Sequence, residues 1–185
     1  MDGVATKKFE SREEIIASLK KERNLAGADM SGLDLTGIKL LGLDMHGADL
    51  HDSNLTNARI AGANLHDVNL ANAHLDGARI AGADMSQANL HGAHMNAAKV
   101  TGASFKEADL TEADLSESRL IGVDVEGADF TGVETAGAKA AVDWETAKVQ
   151  PTELPAPIEG PPPWVAWLAI GLVVAAIFFK LRRKA

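Results

Sequence analysis

From Leu25 to Phe130 every fifth residue is a Leu, Met, Ile, Val or Phe, twenty-two positions in a row. The residue two places earlier is nearly always small or apolar, as at Ala28, Ala48, Ala58, Ala63, Ala73 and Ala78. A period of five fits neither the 3.6-residue turn of a helix nor the two-residue alternation of a strand. It is the period of a coil in which each pentapeptide turns the chain by a fixed angle. The pattern predicts a solenoid over residues 24–144, whose last stretch, 133–144, keeps the beat in degraded form at Val133, Ala138 and Ala140.

The flanks read differently. In the N-terminal segment 1–23, residues 11–23 predict a short helix: Ser11 and Glu14 make an S-x-x-E capping box, and Ile15, Ile16 and Leu19 share one face. Residues 145–163 hold all six prolines. They predict an extended polyproline linker that joins no core and reaches roughly 60 Å. Residues 164–181 are apolar apart from Lys180, and as a helix they would span about 27 Å, close to a hydrocarbon core. Trp164 and Trp167 at one end and Lys180, Arg182, Arg183 and Lys184 at the other suit the two membrane interfaces. A transmembrane helix over 164–181 and a basic tail over 182–185 are therefore expected.

The repeat consensus is A-(D/N)-L-x-G, as in Ala48-Asp49-Leu50, Ala63-Asn64-Leu65 and Ala113-Asp114-Leu115. It resembles the pentapeptide-repeat family over roughly 110 residues. The resemblance implies an all-β solenoid: a right-handed quadrilateral β-helix with four pentapeptides per square coil. The central apolar residue and the small residue two before it would point inward. Twenty-two repeats then make five and a half coils, a rod of roughly 26 Å at the usual strand spacing. Leu33, Ile38 and Leu43 replace the small inward residue in the first coil. That end should be wider, with the Ile15/Ile16/Leu19 face as its plug and Trp144 as the plug of the far end.

With four repeats per coil, residues twenty apart lie above one another. At the position before the central residue, one face carries Lys39, Arg59, Arg79, Lys99 and Arg119, while the other three carry Asp, Asn, His or Ser. Beside this ladder run Leu41, Ala61, Ala81, Thr101 and Ile121, and then Gly42, Gly62, Gly82, Gly102 and Gly122. A flat, partly apolar, basic face is a candidate interface for a protein partner or for anionic lipid headgroups. Inheritance from a duplicated twenty-residue unit is the competing account, supported by the near-copies Ala58-Arg59-Ile60-Ala61-Gly62 and Ala78-Arg79-Ile80-Ala81-Gly82. Two histidine pairs stack by the same rule, His46 with His66 and His74 with His94. They are candidate metal ligands, although nothing fixes a third.

The remaining chemistry is sparse. The 185 residues include no Cys, which removes disulfides and thiolate metal sites. The net charge of −8 makes a general nucleic-acid binder a poor fit. Residues 1–10 contain no apolar stretch of a cleavable secretory signal. A narrow filled solenoid offers no cleft, and no nucleotide-binding, zinc-protease or nucleophile-elbow motif is present, so neither an enzyme nor a cofactor is expected. The expectation is a membrane-tethered, non-enzymatic scaffold, single-pass in a bacterial inner membrane with the repeats on the cytoplasmic side. The resemblance also implies an alternative, a DNA-mimic inhibitor of gyrase acting through acidic faces. A metal-binding surface protein is a third reading.

Overall fold

A computed structural model describes residues 7–158. Each central residue donates its backbone N–H to the following coil, as from Leu50 to the Asn69 carbonyl (2.7 Å), and the residue before it donates to the preceding coil, as from Asn69 to Ala48 (2.9 Å). Repeating these bonds every twenty residues stacks the chain on itself in parallel, for about six turns. All twenty-two central side chains are buried, as are the alanines two before them, so the axis is filled by one continuous apolar column.

Three sides of each coil bend through a tight turn, in which the alanine of the next repeat donates to the central carbonyl (Ala48 to Met45, 3.1 Å; Ala78 to Leu75, 2.9 Å). The fourth side has no such turn bond. There the chain runs extended for three residues per coil: β1 (Lys39–Leu41), β2 (Arg59–Ala61), β3 (Arg79–Ala81), β4 (Lys99–Thr101), β5 (Arg119–Ile121) and β6 (Lys139–Ala141). These pair in parallel and in register, Arg59 beside Arg79 beside Lys99. One side of the solenoid is thus a flat sheet, and three are stacks of turns joined by single bridges.

The N-terminal end differs in detail from expectation. Helix α1 covers Arg12–Leu19, shorter than 11–23, and Ser11 caps it by accepting the Glu14 N–H (3.3 Å). Glu14 reaches back to the N–H of Glu10 (2.9 Å) rather than to that of Ser11. Ile15 is buried and Leu19 packs against the core, but Ile16 faces outward, 38% exposed. Phe9 takes the place expected of Ile16, because its segment adds a rung through bonds to Asp29 in both directions (2.9 Å each). Ile38 and Leu43 are buried in the first coil and Leu33 is half-buried.

The C-terminal end corrects the linker reading. Residues 145–158 do not leave as a free polyproline strand but continue the solenoid. A short 3-10 helix, Trp144–Thr146, sets the Trp144 ring edge-on to Phe130 at 5.1 Å. Val149 bridges Asp129, Thr135 donates its hydroxyl to the Glu153 carbonyl (2.6 Å), and Pro151 and Pro155 are buried. Ala156–Pro157 then forms β7, the last strand of the flat sheet, with Ala156 and Ile158 donating to Ala138 (3.0 Å) and Ala140 (3.2 Å). Pro157 lies at the register whose N–H would otherwise point out of the end of the sheet. Having no N–H, it leaves no donor on which a further strand could build.

Among the described residues no helix is long and apolar enough to cross a membrane. The expected membrane-spanning run 164–181 and tail 182–185, with Trp164, Trp167, Lys180, Arg182, Arg183 and Lys184, lie outside the described residues.

Candidate interaction face

Turn chemistry sorts the charges. On the three turning sides, the residue before the central one accepts the backbone N–H two residues on. Asp34 binds Thr36 (3.0 Å), Asn54 binds Thr56 (3.0 Å), Asp109 binds Thr111 (2.9 Å) and Asp124 binds Glu126 (3.1 Å). Asp and Asn are built for this short-range acceptor role. Their amides also tie coils together, as from Asn64 to Asp44 and from Asn69 to Asp49, both at 3.0 Å. The flat side has no turn to close and needs no acceptor, so that position is open to long side chains.

Turn chemistry therefore explains why Asp is concentrated elsewhere, but it leaves the choice of cation open. Lys39, Arg59, Arg79, Lys99 and Arg119 all occupy the open position in register, and the sheet adds a sixth, Lys139. Lys139 lies beyond the unbroken beat, which ends at Phe130, and its place twenty residues after Arg119 is the sequence signal for it. All six are exposed, and among the described residues none has a carboxylate at ion-pair distance. Lysines elsewhere do pair: Lys106 reaches Glu126 (2.6 Å) and Asp124 (3.4 Å), and Lys148 reaches Asp129 (3.0 Å). At the N-terminal margin of the sheet, Lys20, Lys21 and Arg23 line a groove with Lys39 and Leu41, and the Arg23 guanidinium donates to the Leu41 carbonyl.

Next to the cations on each strand lies Leu41 (44% exposed), Ala61, Ala81, Thr101, Ile121 or Ala141. Beyond that row come Gly42, Gly62, Gly82, Gly102 and Gly122 at φ of +57° to +60°. Non-glycine residues adopt the same φ at nine positions, among them Asn57, Asp67 and Glu107, all on the turning sides. A Cβ would meet nothing within 4 Å at Gly62, Gly82, Gly102 or Gly122. The left-handed φ favours glycine along this row, and the absence of side chains leaves the basic face without protrusions there.

Of the two expected histidine pairs, one is brought together. His74 and His94 stack with ring centroids 4.6 Å apart and planes 6° from parallel. His46 instead turns to Asp44 (3.0 Å), and His66 turns to Ser86 (3.1 Å). Among the described residues no three His, Asp or Glu side chains converge on a position for a metal. His51 is held above the usual histidine range, first by its hydrogen bond to Asp49 (2.7 Å) and then by the charges of Asp49, Asp52 and Asp29. Asp29, Asp34, Asp84 and Asp129 are held below the usual carboxylate range, chiefly by hydroxyls of Ser31, Thr36, Ser86 and Thr131.

Comparison with known proteins follows this geometry. A family model described as pentapeptide repeats matches residues 24–57, 58–96 and 93–132, together more than half of the chain. No curated protein matches. Among solved structures, the pentapeptide-repeat protein Rfr23 from the cyanobacterium Cyanothece 51142 aligns at 22% identity and a TM-score of 0.51, covering 68% of this chain and 97% of its own. A pentapeptide-repeat protein from the Arabidopsis thaliana thylakoid lumen aligns at 26% identity and a TM-score of 0.28, covering 65% of this chain and 67% of its own. Full-length QnrB1, a plasmid-mediated fluoroquinolone resistance protein, aligns at 20% identity and a TM-score of 0.40, covering 81% and 87%.

Proposed function

We propose that this chain, which belongs to the pentapeptide-repeat family, is a non-catalytic interaction module that docks an anionic surface through its basic sheet and is held at a membrane by residues 164–181. The supporting observation is the sheet itself. Six exposed cations in register, from Lys39 to Lys139, stand beside a low apolar row on the only side of the coil where turn chemistry leaves the position open. Like charges opposite one another cost a few tenths of a kcal/mol per exposed pair. A row kept at that cost, with no carboxylate of the described residues at ion-pair distance, is suited to an external anion. The apolar run and its flanking Trp and basic residues support the membrane tether from sequence.

The test is retention of the full chain on membranes after alkaline extraction, followed by partner capture with the wild type and with Arg59→Glu/Arg79→Glu/Lys99→Glu. Retention together with loss of anionic partners in the variant supports the reading; capture that survives the reversal refutes the docking face. A second reading, inhibition of gyrase by DNA mimicry, has the Asp columns of the turning sides in its favour. Supercoiling inhibited equally by wild type and variant would select it.

A further inference from the structure

We infer that the anionic partner of the basic sheet is the headgroup layer of the same membrane that residues 164–181 enter, so that the solenoid lies sheet-down on the bilayer with its Asp-rich sides turned away. This rests on the membrane tether proposed above and adds the partner and the orientation.

Strand β7 (Ala156–Pro157) is the last rung of the basic sheet itself, and Ile158 is bonded to β6. The sequence reading allowed a tether of roughly 60 Å. Docking of residues 145–158 leaves 159–163 between the sheet and Trp164, about 20 Å from Ile158 to Trp164 even when fully extended. A tether so short, leaving from the last rung of this sheet, holds that end of the basic side close to the membrane and places the opposite side farther away.

Six cations at strand spacing form a straight row of about 24 Å, and the groove at its margin adds Lys20, Lys21 and Arg23. Beside the cations are exposed apolar groups at both ends, Leu41 (44% exposed) near the first strand and Leu154 (55% exposed) beside the last. Cations flanking low apolar side chains match the boundary between headgroups and acyl chains. The glycine row, set by its left-handed φ, leaves the face flat. The turning sides carry the Asp and Glu columns, including Asp29, Asp49, Asp109 and Asp129 in one line, which an anionic leaflet repels. The sum is a molecule with one side attracted to such a leaflet and three sides not.

Absence of Cys makes single-site labelling direct. The full chain carrying Ala81→Cys on the basic sheet, or Ala71→Cys on the opposite side, is labelled with bimane. Each protein is reconstituted into phosphatidylcholine vesicles with or without about one third phosphatidylglycerol, using headgroup spin-labelled lipid as quencher. Quenching at position 81 but not 71, and only with phosphatidylglycerol, is expected. The Arg59→Glu/Arg79→Glu/Lys99→Glu variant should lose it, since each cation is worth roughly five-fold in lipid association and three are worth about 100-fold. High salt should reversibly abolish the quenching at position 81 in the wild type while the chain stays on the vesicles, a readout that does not depend on how the variant folds. Equal quenching at both positions, or quenching indifferent to phosphatidylglycerol, overturns the inference. Retention of the chain on vesicles with position 81 unquenched overturns it while leaving the tether intact, and failure to float with vesicles overturns both.

Discussion

Exchanging the charge types of two sides separates turn chemistry from ladder electrostatics. Arg79→Asp puts a carboxylate between Arg59 and Lys99 in the sheet, where no turn needs an acceptor. Two mildly repulsive contacts become attractive, a gain of about 1 kcal/mol at low salt, set against about 0.5 kcal/mol for the poor strand preference of Asp. The net change is close to zero or slightly stabilising. Asp109→Arg removes the acceptor of the Thr111 N–H, a 2.9 Å bond that closes a turn. By analogy with helix caps that costs about 1 kcal/mol, within a range of 0.5–2, and attraction to Asp129 returns only a few tenths. The two variants should therefore differ by about 1–1.5 kcal/mol, or roughly 3–5 °C in Tm for a chain of this size. The assay is thermal melting followed by circular dichroism at low salt and at about 1 M NaCl, where the Debye length falls to about 3 Å. Salt should remove the electrostatic benefit in Arg79→Asp and leave the loss in Asp109→Arg. Equal destabilisation by both, or rescue of Asp109→Arg by salt, would refute this account of why the cations occupy one side.

Other expectations concern the core, the end and pH. Phe105 is fully buried in the fifth coil, and Phe105→Ala should cost about 3–5 kcal/mol, read as a fall of roughly 6–20 °C in Tm. Pro157→Val restores an N–H at the exposed end of the sheet and should produce end-to-end association, detected as a concentration-dependent mass by light scattering; a species that stays the size of wild type would contradict the capping role. His51 has a raised folded pKa, so its contribution to stability is complete below the unfolded value of about 6.5 and is lost as pH rises through the folded value. Asp49→Asn should return its titration, followed by NMR, toward that of an ordinary histidine. The lowered carboxylates such as Asp34 and Asp129 act in the opposite sense: their stabilisation is present above about pH 4 and fades as pH falls through their folded values.

The five-residue beat by itself determined the coil, its inward residues and the addresses of its outward ones. Burial of a Leu or Ala every turn is a local rule repeated without a break, so it survives reading in one dimension. Sorting by twenties placed five of six ladder cations correctly for the same reason. Only the tertiary structure decided that the ladder side is a flat sheet, because the missing turn bond is a property of the backbone rather than of any residue type. It also showed that the Asp columns close turns, which makes their separation from the cations partly a demand of the fold. The ends were least legible. Ile15, Ile16 and Leu19 fit one helical stripe, but a short helix over the mouth of a coil buries only what faces the opening, and Phe9 reached it by adding a strand instead. The proline segment read as extended and free. Extended chain is also what one more rung requires, and only the open edge of β6, about seventeen residues back along the chain, turned that segment into a cap and placed the end of the described residues on the basic side.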